Sequence, residues 1–225
     1  MESDCCVRLK KNKANNTFYE AIGPKGLHDL SFKAGLETWC DLREISCYLK
    51  QANTALEVGA GYGRVLRYLL DHYSDMDIVA IERAENAYQY LKQQFENRVE
   101  LLKVDIGNVF FSKARFDIVL WLWSGLADFS FDEQENVITK LAEGMTPGGY
   151  LIIDAMPETI TPLDMEDNAQ GAVYEQTINN CKICTYSPSL HDIKKYAKTA
   201  KLYIDNRIEY QTSTGRSRYL YVLKK

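Results

Sequence analysis

Three glycines at alternate positions, Gly59, Gly61 and Gly63, follow a short apolar run in Thr54-Ala-Leu-Glu-Val-Gly-Ala-Gly-Tyr-Gly-Arg64. Glycine lets the backbone take positive φ, and it leaves main-chain N–H groups uncovered for the close approach of a ligand. Glu57, two residues before the first glycine, can orient such a turn or meet an ammonium group through water. Two more carboxylates close the next apolar runs, Glu82 after Asp77-Ile-Val-Ala-Ile and Asp105 after Val99-Glu-Leu-Leu-Lys-Val. A carboxylate accepts from two adjacent hydroxyls at once, so Glu82 suits the diol of a ribose. This is the chemistry of holding a polar cofactor. The dinucleotide fingerprint would place its third glycine at position 64, which is Arg64, and this counts against a nicotinamide-dependent redox enzyme.

The elements that must position these groups are written in the hydrophobic periodicity. Leu56 and Val58 suit a buried strand, and Val65, Leu66, Leu69, Leu70 and Tyr73 then recur at helical spacing. A second strand over 77–82 leads to an amphipathic helix through Ala84, Tyr88, Leu91 and Phe95. A third strand is expected over 99–105 and a fourth, Phe116 to Trp123, too apolar to have a wet face. Asp132 or a neighbour caps the next helix, whose pattern runs through Val137, Ile138, Leu141 and Met145 to the break at Thr146-Pro-Gly-Gly149. Tyr150 to Asp154 is the fifth strand. Residues 155–187 interrupt the rhythm as an insertion whose later part forms one or two strands. A helix over 189–201, a strand over 202–210 and a turn into a final strand over 218–223 follow. Such a succession predicts one α/β domain over 1–225, with a mostly parallel seven-stranded sheet, helices on both faces and a C-terminal antiparallel hairpin.

Composition bounds the function. A chain of 225 residues, 46% hydrophobic and 26% charged, can bury about 70% of its unfolded surface without staples. No apolar run reaches the roughly 18 residues of a membrane span, and no basic-then-apolar leader opens the sequence, so it reads as a cytoplasmic protein with no membrane partner. Six cysteines are too few for a disulfide scaffold, and the lone pair Cys181-x-x-Cys184 has no second ligand pair among the scattered His28, His72 and His191. No metal site is expected. The net charge of −4 with dispersed lysines disfavours nucleic acid as a partner.

The glycine turn with Glu57, followed by Glu82 and Asp105 at successive strand ends, resembles motif I and its neighbours in class I S-adenosylmethionine (SAM)-dependent methyltransferases. The resemblance is close over residues 54–154 and loose in the final hairpin. It implies SAM as cofactor, with Glu57, Gly59, Ala60, Gly61 and Gly63 near its methionine part and Glu82 on its ribose. It also implies that Asp105 receives the exocyclic amine of adenine, with the N–H of Ile106 on a ring nitrogen. Arg83 departs from the apolar residue often found against the adenine face, although a guanidinium can stack there. Trp121-Leu-Trp123-Ser correspond to motif IV, which in the family lies beside the methyl group. One of Trp121 and Trp123 is assigned to the site and the other to the core.

The acceptor is not written in the sequence. Families of this kind use the segment before motif I as a lid, here residues 1–53, and Tyr19 and Trp39 within it are candidate substrate contacts beside Trp123. The insertion at 155–187 is expected near the acceptor pocket. Methyl transfer depends mostly on positioning, and a base is needed only for a protonated acceptor. His28 and Asp128 are candidates for one. There is no Asn-Pro-Pro-Tyr signature of adenine-base or glutamine methylation. The expected reaction is methylation of a nitrogen, oxygen or carbon of a small molecule, the alternatives being a protein or peptide acceptor and a non-catalytic SAM-binding protein. The oligomeric state is not legible.

Overall fold

A computed structural model describes residues 4–95, 97–157, 172–178 and 181–225. The apolar run before the glycine turn is strand β1, Thr54–Val58, buried over most of its length. It pairs in parallel with β2 (Asp77–Glu82) on one side and β4 (Phe116–Trp121) on the other, and β3 (Glu100–Lys103) extends the sheet beyond β2. Beyond β4 comes β5 (Met145–Ala155), also parallel. The separate antiparallel pair β6 (Ala172–Ile178) and β7 (Cys181–Ser187) carries the strands expected late in the 155–187 stretch, of which residues 158–171, 179 and 180 lie outside the described residues. The last strands, β8 (Tyr203–Gln211) and β9 (Ser217–Lys224), are antiparallel, and the sheet order is β3-β2-β1-β4-β5-β9-β8. This is the fold class that the periodicity predicts.

The order reverses between β1 and β4, so right-handed crossovers send the helices on either side of that point to opposite faces. Helices α4 (Arg64–His72) and α5 (Glu85–Phe95) cover one face, where Leu66, Leu69, Leu91 and Phe95 pack with Ala55, Ile78, Ala80, Ile118 and Leu120. The short helices α2 (Cys40–Glu44) and α3 (Ser46–Leu49) add Leu42 and Leu49 there. Helices α6 (Phe131–Gly144) and α7 (Leu190–Thr199) cover the other face with Val137, Ile138, Leu141, Ile193 and Tyr196 against Leu56, Val58, Val79, Ile81 and Val119. Alternate residues of each strand thus feed two cores, each buried leucine or isoleucine contributing about 1.5–3 kcal/mol.

The boundaries differ from the sequence reading at several points, among them β4, which ends at Trp121 and not at Trp123. Strand β3 stops at Lys103 because the Asp105 side chain turns back to cap a 3₁₀ turn, Ile106–Asn108, accepting from Gly107 N. Helix α6 is capped by Ser130, which forms a capping box with Glu133, while Asp132 sits in the first turn; such a cap is worth about 1 kcal/mol. Strand β5 starts at Met145, and a register break opposite Phe116/Ile118 absorbs Thr146 to Gly149. The N-terminal segment is α1, Asp4–Ala34, broken at Gly23 (φ 61°, ψ −179°) just before Pro24.

Candidate cofactor and acceptor site

Because β1, β2 and β4 run in parallel, their carboxyl ends share one edge of the sheet at the point of order reversal. A cavity of about 280 Å³ lies there, roofed by Phe18, Tyr19, Leu27 and Leu30 of α1. All three glycines of the turn are left-handed, with φ of 75°, 58° and 81° at Gly59, Gly61 and Gly63. Their surroundings differ. Gly59, Ala60 and Gly61 line the cavity, and a Cβ on Gly61 would meet nothing nearer than Leu27 Cδ1, at 3.5 Å. A Cβ on Gly63 would stand 2.5 Å from Phe95 Cε2, so this glycine lets α5 pack against the start of α4 and is not part of the cavity wall. The turn itself is tied to β2, since Gly59 N and Ala60 N both donate to Ile81 O, at 2.8 and 3.1 Å.

Glu82 continues that tie. Its Oε2 accepts from Gly61 N and its Oε1 from Ala84 N, both at 2.8 Å. Burial raises its pKa and these N–H donors pull it back. Each oxygen keeps a second lone pair, and the side chain lines the cavity. Glu57 contrasts with it: buried in the same wall, its Oε2 has no hydrogen-bond partner. Burial pushes its carboxyl up to about 8, against the pull of Arg64 and with a further push from Glu82 and Asp41. Arg64 also lines the cavity, locked to Asp41 by a buried ion pair (Nη1 to Oδ1, 2.8 Å) and donating to Leu36 O at 3.3 Å. No local pattern joins residues 41 and 64, and the sequence shows Arg64 only as a missing glycine.

On the far side of Glu82, Asp105, Ile106 and Arg83 all reach the cavity. Asp105 Oδ1 accepts from Gly107 N at 2.8 Å and Oδ2 lies 3.5 Å from Arg83 Nη1. The Arg83 guanidinium turns towards Asp128 (2.9 Å) and faces the Tyr19 ring, 5.3 Å from its centroid. Tyr19 Oη donates to Asp128 at 3.1 Å, and Asn15 Nδ2 approaches the same oxygen at 3.4 Å. Burial first, and the Asp128 charge second, raise the Tyr19 phenol well above 10, so it acts as a neutral donor. With three donors converging on it, Asp128 is a counter-ion that fastens α1 to the sheet edge. Asn15 also accepts from Cys184 N and donates to Cys184 O, at 3.0 and 2.9 Å, and so joins α1 to β7, whose Ile183 and Thr185 complete the wall.

Both tryptophans after β4 line the cavity, so the division of one to the site and one to the core does not hold. Trp121, 2% exposed, belongs to the core on the α6 face and meets the Phe129 ring edge-on, whereas Trp123 packs on the α4 face. Strand pleating alone would put residues two apart on the same face. The separation comes from the backbone beyond the strand end, where Trp123 has φ 52° and Ser124 φ 57°. His28 and Trp39 are not among the cavity-lining residues. His28 is half exposed between Asp29 and Glu37, and Trp39 packs on Tyr68 and His72. Among the described residues no group of three or more His, Cys, Asp or Glu side chains is placed to hold a metal, and the Cys181 side chain lies outside the description.

Residues 55–149 match the sequence family described as methyltransferase domain. Over 154 residues the chain is 25% identical to (S)-tetrahydroprotoberberine N-methyltransferase of Eschscholzia californica; the match covers 65% of this chain and 42%, under half, of that protein. The structure of the 1,6-didemethyltoxoflavin-N1-methyltransferase of Burkholderia thailandensis, with 1,6-didemethyltoxoflavin and S-adenosylhomocysteine bound, superposes with a TM-score of 0.75 at 15% identity. It covers 97% of this chain and 90% of that one. An amino pentose methyltransferase of Micromonospora echinaspora with bound SAM gives 0.61 at 14% identity over 87% and 96% of the two chains. At such identities the structural likenesses speak for the fold. The family match spans under half of this chain, and the structural likenesses show the fold of class I SAM-dependent methyltransferases.

Proposed function

We propose that the protein transfers a methyl group from SAM to a small molecule, with nitrogen foremost among the nitrogen, oxygen and carbon acceptors. The observation that carries this reading is the unpartnered, buried oxygen of Glu57 beside two cavity-lining left-handed glycines. A buried acceptor of this kind is completed by a donor from a ligand, and the ammonium of SAM is such a donor. Glu82 would take the ribose hydroxyls through its remaining lone pairs, Asp105 and the Ile106 N–H the adenine, and Arg83 and Trp121 the flat faces nearby. SAM supplies an electrophilic sulfonium methyl when bound. The chain holds the acceptor in line with it and keeps water out. No base is assigned, because an acceptor that arrives unprotonated needs none.

The relatives support a small acceptor, since one is named for N-methylation of a tetrahydroprotoberberine and another was solved with 1,6-didemethyltoxoflavin. We read residues 1–225 as one cytoplasmic domain in which residues 1–53 form the lid and the described part of the 155–187 stretch lies near the acceptor pocket, with Tyr19 and Trp123 as acceptor contacts. No helix among the described residues is long and apolar enough to cross a membrane. Calorimetry with SAM, S-adenosylhomocysteine and a nicotinamide nucleotide tests the cofactor. Micromolar binding of the first two is expected, and preference for the nucleotide would refute it. S-adenosylhomocysteine release is then followed with pooled metabolites and, separately, with purified basic proteins. Turnover with metabolites alone is expected; turnover with proteins alone would transfer the assignment to a peptide acceptor.

A further inference from the structure

Trp123 and Ser124 are the one pair of consecutive non-glycine residues with positive φ among the described residues. A side chain at that backbone angle crowds its own carbonyl, so such a pair persists only where surrounding contacts over-determine it. The contacts are supplied by Arg218 of β9. Its Nε donates to Asp154 Oδ1 and Oδ2 at 3.0 and 3.2 Å, and its Nη2 donates to Oδ2 at 3.0 Å and also to Ser124 Oγ. Nη1 points to Met156 Sδ at 3.4 Å. Asp154 and Arg218 are both buried, 1% and 6% exposed. One guanidinium therefore joins the end of β5, the start of β9 and the loop after β4. The pair with Asp154 suffices to satisfy a buried arginine on the sheet. The added bond to Ser124 reaches a strained residue of the cavity wall whose neighbour is the cavity-lining Trp123.

Resting on the methyltransferase reading, we infer that Arg218, anchored by Asp154, is a positioning residue: through Ser124 it holds the Trp123 indole in the wall of the cofactor cavity. The planar fork makes this possible, because it engages a carboxylate and a hydroxyl in fixed directions at once, which the point charge of a lysine does not.

Ser124→Ala removes only the accepting oxygen and leaves the Arg218–Asp154 pair whole. Its affinity for S-adenosylhomocysteine, read by calorimetry, is expected to fall about tenfold, the worth of a hydrogen bond to a charged group, with the melting temperature retained. Its near-ultraviolet circular dichroism should change as the indole moves. Both effects should vanish when Ser124→Ala is made in a Trp123→Phe background, since the coupling then has no indole to act on. Arg218→Lys keeps a cation for Asp154 and should reproduce Ser124→Ala; if it fails to fold, Ser124→Ala alone decides. Unchanged affinity and dichroism in Ser124→Ala would overturn the inference, and so would an equal loss with and without Trp123. If the native chain does not bind S-adenosylhomocysteine, the methyltransferase reading fails. The dichroism cycle then still tests the link from Arg218 to the indole.

Discussion

The two walls of the cavity are built in opposite ways. On the β1–β2 side Glu82 is fixed by Gly61 and Ala84, Asp105 by Gly107, and the turn by Ile81, all at neighbouring strand ends of the parallel sheet, while Glu57 Oε2 is left without a partner. On the other side the bonds join residues 94 to 169 positions apart. Asn15 meets Cys184 across 169 positions, Tyr19 meets Asp128 across 109, and Arg218 meets Ser124 across 94. The first wall is a property of the sheet edge, so the chemistry of a shared cofactor can reside there. The second is assembled from a helix, a hairpin and a loop tied to the sheet through Arg218, so acceptor choice can change without disturbing the first. Substitutions should therefore act severely on the cofactor wall and by degrees on the other.

The largest expected effect is at the glycine turn. Gly61→Val should abolish S-adenosylhomocysteine binding, a loss of at least about a hundredfold, because a β-branched residue is strained at positive φ and its side chain enters the cavity. Far-ultraviolet circular dichroism should stay native. Gly63→Ala is the contrasting case: its Cβ collides with Phe95, so it should lower the melting temperature by several degrees while the cavity wall is left in place. Normal cofactor binding by a folded Gly61→Val protein would break the distinction between the walls.

Next in size, Glu82→Ala should weaken S-adenosylhomocysteine binding by roughly 1.5–3 kcal/mol, as expected when a charged acceptor is removed. A modest fall in melting temperature should accompany it, because Gly61 N and Ala84 N lose their acceptor. Calorimetry and thermal melts on one preparation separate the two. A sharp drop in stability with unchanged affinity would make Glu82 a brace for the turn alone.

A smaller, pH-dependent effect belongs to Glu57. Its carboxyl, pushed to about 8 in the unliganded protein, is mostly protonated at pH 7, and an ammonium beside it favours the ionised form. Binding should therefore expel a proton. Affinity should rise between pH 6 and 7.5, and the calorimetric heat should depend on the buffer. Without ligand the sign is reversed. The folded chain keeps a proton that the unfolded chain releases near 4.5, so the stability contributed by the neutral carboxyl is complete below about pH 4.5 and lost as pH rises to about 8. Glu57→Gln should gain in melting temperature over the native chain at pH 8 relative to pH 5, and should abolish the buffer dependence. Equal heats in all buffers would exclude Glu57 from the ammonium contact.

Tyr19→Phe, on the distant-contact wall, should cost least. Losing one hydrogen bond to a charged Asp128 that keeps Arg83 and Asn15 is worth about 1.5 kcal/mol, the low end for a charged acceptor, read as a small drop in cofactor affinity and faster proteolysis of the segment before Gly23. A loss as large as that of Glu82→Ala would show that the two walls act as one unit.

How much of this the sequence reveals follows the same division. Strand and helix periods, and the acidic residue ending each apolar run, are local, and parallel topology then brings Glu57, Glu82 and Asp105 to one edge without further information. Gly63 shows the limit: the alternate spacing reads as three equal ligand-facing glycines, yet one of them makes room for Phe95. The pairs Asp41–Arg64 and Asp154–Arg218 are invisible because ion-pair partners far apart in sequence leave no periodic trace. Residues singled out by type alone, His28 and Trp39, stand outside the cavity lining. An imidazole or an indole on a short amphipathic stretch says nothing of which way that stretch is turned.

Strand β9 follows β8 in the chain yet is an interior strand of the sheet, with Leu220 to Leu223 fully buried between β5 and β8. During synthesis β1 to β5 emerge first, and until residues 217–224 follow, β5 has an open edge and Asp154 has no guanidinium to face. Contacts of such sequence separation form slowly and late. The chain can therefore shape its glycine turn before residues 217–224 are made, whereas the loop bearing Trp123 and Ser124 must wait for Arg218. On this side the geometry of the cavity wall arrives with β9, later than that of the glycine turn.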